Sequence, residues 1–115
     1  MIRTGRDRRQ FQRIPMNQIV SFAELGDRAV EGRALDVSSG GIRFRAVACE
    51  IALGDVLRLT FSVLGQLVTA TGTVAWATEV DPLTLDVGLE FDELEGRGRA
   101  LLERFAQSEE AQLSA

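Results

Sequence analysis

Apolar and polar residues alternate with a period of two through most of this chain, the signature of half-buried β-strands. In Gly41–Ala46, Ile42, Phe44 and Ala46 fall on one side and Arg43 and Arg45 on the other. Val56–Val63 turns Leu57, Leu59, Phe61 and Val63 inward, with Arg58, Thr60 and Ser62 outward. In Leu67–Ala77 the inward parity belongs to Val68, Ala70, Val74 and Trp76, opposite Thr69, Thr71 and Thr73, which places Trp76 in the core or at a barrel end. Leu85–Phe91 aims Leu85, Val87, Leu89 and Phe91 inward. Two earlier segments, Ile19–Leu25 and Arg28–Val37, read as strands with looser alternation, and Gly32 marks a bulge in the second.

Turn signals separate these runs at Gly26–Asp27, at Gly65 and at Asp81–Leu83, while Pro15 holds the chain before the first strand extended. Period two with turns every ~8–12 residues predicts a mainly β fold, a small six-stranded antiparallel barrel. The last segment changes period. Leu101, Leu102 and Phe105 share one face of a helix predicted from Arg97 to Ala106, which caps an open end of the barrel and frays through residues 108–115. Residues 1–15 form a basic arm and residues 16–115 the barrel with its helix.

Composition narrows the function. A chain of 115 residues, 45% hydrophobic, is one domain that buries roughly two-thirds of its unfolded surface. It has no run of ~18 apolar residues and no apolar signal-peptide core at its start, so the expectation is a cytoplasmic protein without membrane insertion. Its single cysteine, Cys49, agrees with a reducing compartment and reads as a small buried hydrophobe. Histidine is absent, which removes the commonest general base and zinc ligand. The expectation is therefore no enzyme, no metal and no cofactor.

Charge is unevenly placed. The net charge is −4, yet residues 1–13 carry Arg3, Arg6, Arg8, Arg9 and Arg13 against Asp7 alone, a local +4 that leaves −8 on the rest. A basic arm on an acidic body favours a small anionic ligand over nucleic acid.

Two motifs give that anion a place. Arg9 and Arg13 form R-x-x-x-R, and after one intervening hairpin Asp36, Ser38 and Gly41 form D-x-S-x-x-G within "DVSSGG". Each is weak alone, since Asp, Ser and Gly furnish any turn. As an ordered pair, followed by "GGIRF" (Gly40–Phe44), "GTVAW" (Gly72–Trp76) and "DVGLEF" (Asp86–Phe91), they resemble the PilZ domain family of bacterial cyclic di-GMP receptors, from Arg8 to about Phe105.

The resemblance implies a PilZ-like split barrel whose flexible arm closes over the barrel face when cyclic di-GMP binds. Arg8, Arg9 and Arg13 would clamp phosphates and guanine edges through their guanidinium forks. Asp36 would accept from guanine N1–H and N2, and Ser38 would donate to a phosphate or accept from a base amine. Gly40 and Gly41 would let the backbone come close to the ligand. Arg6 and Arg43 are rim positions. An arginine at Arg8, just before the first motif, accompanies two stacked ligand molecules per site in similar proteins. The implied output is regulation of an effector protein, in motility, pilus or polysaccharide processes. The alternative is a PilZ-like interaction scaffold that acts without nucleotide.

Overall fold

The computed structural model describes residues 13–24 and 28–114. Six antiparallel strands, β1 (Ile14–Glu24), β2 (Val30–Val37), β3 (Gly41–Val47), β4 (Val56–Val63), β5 (Gln66–Asp81) and β6 (Thr84–Leu94), precede one helix, α1 (Gly98–Ser114). The strands close into a barrel in the order β1-β2-β3-β6-β5-β4. The mainly β expectation and the helix that ends it hold.

The alternation read from the sequence places the core. Leu57, Leu59, Phe61 and Val63 of β4 are buried, as are Ile42, Phe44 and Ala46 of β3 and Val87 and Leu89 of β6. Phe22 and Phe44 meet at 4.8 Å between ring centroids, and Phe61 stacks on half-buried Phe91 at 6.0 Å. Leu101 and Leu102 of α1 enter the same cluster, with Phe105 packed against it, so the helix seals one end of the barrel. Each such large side chain removed from water contributes about 1.5–3 kcal/mol.

Several boundaries differ from the sequence reading. β1 starts at Ile14 instead of Ile19, because Pro15 at a strand start needs no ladder donor and its fixed φ suits extended chain. The predicted turn at Gly26–Asp27, and Leu25 before it, lie outside the described residues. α1 continues to Ser114 where fraying was expected after Ala106, since residues 107–114 contain neither Gly nor Pro and include Gln, Glu, Ala and Leu. Cys49 is half-buried instead of buried, and its thiol donates to the Val47 carbonyl at 3.3 Å.

Gly32 is not a bulge. It pairs in register with Val20, and an added Cβ would lie 2.8 Å from the Arg45 carbonyl oxygen and 2.9 Å from the Phe22 ring. The bulges lie elsewhere. Against β3, the β2 register passes from Ala34↔Phe44 to Asp36↔Arg43, so Leu35 is the extra residue. Against β6, β5 passes from Val74↔Leu89 to Trp76↔Gly88, so Ala75 is extra. Two further shifts in the β5–β6 pairing fall at Thr71/Gly72 and Glu79/Asp81, and one in β1, between Pro15 and Gln18, adjoins the seam with β4. There Gln18 lends its side-chain amide to the barrel: Nε2 donates to the Ser62 carbonyl and Oε1 accepts from the Ser62 N–H, both at 2.8 Å. This side chain extends a backbone seam that pairs only Ser21–Glu24 with Leu57–Thr60.

Candidate ligand cleft

The bulge at Leu35 decides where the second motif points. With strict alternation, Ala34 facing in would require Asp36 to face in as well, against Ile42 in the core. The extra residue instead sets Asp36 opposite Arg43, whose side chain is outward, while Val37 keeps the core position opposite Ile42. A carboxylate is thereby kept out of an apolar interior, where it would cost several kcal/mol.

Asp36 is nonetheless only 7% exposed, because two guanidinium groups cover it. Arg13 donates from Nη1 to Oδ1 at 3.2 Å, and Arg43 donates from Nη2 to Oδ2 at 2.5 Å. Arg13 also donates to the Gly41 carbonyl at 3.4 Å. Both arginine side chains remain 44% exposed, so each retains donors facing solvent. The trio carries a net +1 and fixes Arg13, from the first motif, directly over the second.

The turn is built from its own side chain. Ser38 Oγ accepts from the backbone N–H of Gly40 and of Gly41, each at 3.2 Å, and the Ser38 N–H donates to the Gly41 carbonyl at 2.8 Å. Ser38 is 3% exposed, so its hydroxyl serves the turn first. Gly41 admits β6, not only a ligand: an added Cβ would overlap the Leu89 carbonyl oxygen. The Gly40 carbonyl accepts from the Phe91 N–H at 2.9 Å, which ties the turn to β6.

Together these elements wall a cleft of about 500 Å³, lined by Arg13, Ser38, Ser39, Gly40, Glu90, Phe91 and Arg99. Of the residues expected from sequence, Arg13, Asp36, Ser38, Gly40, Gly41 and Arg43 converge at this corner. Arg6, Arg8 and Arg9 lie outside the described residues. Arg45 is engaged elsewhere, in a two-pronged pair with its cross-strand neighbour Asp86, Nε to Oδ1 at 2.7 Å and Nη2 to Oδ2 at 3.0 Å. That hydrogen bond holds the Asp86 carboxyl below the usual carboxylate range and raises Arg45 further.

Trp76 corrects the parity argument. The extra residue at Ala75 puts it opposite Gly88, whose neighbours Val87 and Leu89 face the core, so the Gly88 position looks outward. The indole occupies the space a Gly88 side chain would fill, and Trp76 is 38% exposed. An outward row therefore crosses three strand pairings, Asp36, Arg43, Gly88 and Trp76, ending in an aromatic face. Glu90, Phe91 and Arg99 were also missed as site residues. They lie far from the second motif in sequence; the β3–β6 register, which pairs Gly41 with Glu90, brings Glu90 and Phe91 there, and the start of α1 brings Arg99.

Among the described residues no group of three or more His, Cys, Asp or Glu is placed to hold a metal ion, and no helix is long and apolar enough to cross a membrane. A model of the PilZ domain matches residues 7–108. Mannuronan synthase of Pseudomonas aeruginosa is 30% identical over 101 residues, which cover 82% of this chain and 24% of that protein. Among solved structures, the inhibitor of motility MotI/DgrA of Bacillus subtilis superposes with a TM-score of 0.72 at 20% identity, over 89% of this chain and 51% of that one. The chain thus spans about a quarter of the curated relative and about half of the structural neighbour.

Proposed function

This chain belongs to the PilZ domain family, and from that premise we propose that it is a receptor for cyclic di-GMP that acts on a partner protein without catalysis. The observation that carries the reading is Arg13 held by Asp36 and the Gly41 carbonyl above the Ser38–Gly41 turn, at the mouth of the cleft. The first motif's second arginine thus arrives already aimed, with its remaining donors exposed. Guanidinium forks match both a phosphate and the O6/N7 edge of guanine, and the ligand offers two of each. Arg8 and Arg9, immediately upstream, would complete the clamp, and Trp76 at the end of the outward row offers a face on which a base can stack. The relatives name polysaccharide synthesis and motility, and the output proposed here is control of a process of that kind through an effector protein. The stoichiometry proposed is two stacked ligand molecules.

Each charge-assisted contact contributes about 1.5–3 kcal/mol, so losing Arg9, Arg13 or Asp36 weakens binding by roughly ten- to a hundredfold. Isothermal titration of cyclic di-GMP into wild type, Arg9→Ala, Arg13→Ala and Asp36→Ala reads this directly. Equal affinity in all four proteins would place the site elsewhere. No heat from the wild type, with a partner captured regardless of nucleotide, would support the scaffold alternative.

A further inference from the structure

The cleft has a wall that neither motif supplies. Glu90 on β6 and Arg99 in the first turn of α1 line it together with Arg13 and the Ser38–Gly40 turn. Both are exposed, and neither forms an ion pair among the described residues. Asp36, in contrast, has one oxygen on Arg13 and the other on Arg43. Of the two carboxylates at this corner, only Glu90 has both acceptor oxygens unengaged by the described residues.

Its position is fixed by backbone on both sides. Glu90 pairs with Gly41 of β3 and with Thr73 of β5, and Gly72 next to Thr73 packs so closely that an added Cβ would overlap the Glu90 carbonyl oxygen. The start of α1 is equally constrained. Gly98 is buried with Val68 3.0 Å from where a Cβ would stand, and its N–H donates to the Glu95 carbonyl at 3.0 Å.

We propose that Glu90 reads the guanine base and that Arg99 takes a phosphate, so that the dinucleotide bridges the motif wall and the C-terminal helix. This rests on the reading that the ligand is a cyclic guanine dinucleotide. A carboxylate with two free oxygens accepts in parallel from guanine N1–H and the N2 amino group. Adenine presents an acceptor at N1 and no amino group at C2, so it leaves the carboxylate desolvated and unpaired, which is how a polar site rejects an analogue. The guanidinium groups of Arg13 and Arg99 on the same cleft offset the charge of Glu90, so a phosphate is still attracted. Asp36 then acts as the positioning residue for Arg13 and Arg43.

The test is titration of cyclic di-GMP and cyclic di-AMP into wild type, Glu90→Gln, Arg99→Gln and Arg13→Ala. Glu90→Gln lowers cyclic di-GMP affinity about tenfold or more and narrows the preference over cyclic di-AMP, because the glutamine amide can donate to adenine N1. Arg99→Gln weakens both dinucleotides by a similar factor, about tenfold or more. The preference is a ratio measured on one sample, so partial loss of folded protein cancels from it. Wild-type affinity and preference in Glu90→Gln and Arg99→Gln, with Arg13→Ala impaired, would overturn this assignment and leave the receptor reading intact. A wild type that binds neither dinucleotide would overturn both.

Discussion

At Gly41 the backbones of β3 and β6 approach so closely that any side chain would overlap the Leu89 carbonyl. Its place in the second motif therefore has a structural cause independent of ligand. Gly41→Ala is expected to destabilise the protein by about 1–3 kcal/mol, an overpacking cost measurable by urea denaturation without nucleotide. Stability equal to wild type would mean the two strands separate freely. Ser38 is similar, since its hydroxyl holds the Gly40 and Gly41 amides before any ligand arrives. The residue types of the motif were legible in the sequence because turns favour them. That Asp36 would be sheathed by Arg13 and Arg43 was not, because Arg43 is seven residues away and its approach depends on the strand register.

Among the elements, the strands with clean alternation were legible almost residue by residue, because burial of one face leaves only one register open. Parity failed where an extra residue shifts the phase. Trp76 was assigned inward on a count of two, and the bulge at Ala75 turned it outward over Gly88. Gly32, assigned as a bulge, instead admits the Phe22 ring and the β3 backbone. No local composition distinguishes these cases, because the bulge is set by the partner strand. The β1–β4 seam was equally hidden, since it joins strands that are not neighbours in sequence. Gln18→Ala removes both hydrogen bonds to Ser62 and is expected to cost about 1–3 kcal/mol. Thermal denaturation measures it, and amide exchange at Ser62 should accelerate. An unchanged melting temperature would show that the backbone pairs alone hold the seam.

For the whole molecule, the uneven charge was legible from composition and the fold class from periodicity, whereas the cleft needed the closed strand order β3-β6-β5. Acid sensitivity belongs to this scale. Asp86, held low first by its hydrogen bond from Arg45, and Asp81, held low first by the Leu83 N–H, both titrate below the ordinary carboxylate range when folded. Their contribution is complete above the unfolded carboxylate value, about 3.9, and is lost as pH falls through the lower folded values. The urea midpoint should be level between about pH 7 and pH 5 and decline below about pH 4. A midpoint that holds steady to pH 2 would contradict the Arg45–Asp86 assignment.

Leu35 on β2 and Ala75 on β5 are extra residues on opposite flanks of the β3–β6 ribbon. Each acts as a half-step in a two-beat rhythm: it exchanges which chemistry is shown to the outside while the interior keeps its apolar partners. Smoothing either bulge into regular pairing, with its extra residue retained, would swing a carboxylate or an indole from the outer face toward the barrel interior. The outer face of this protein is thus specified by where two strands step out of register as much as by the side chains they carry.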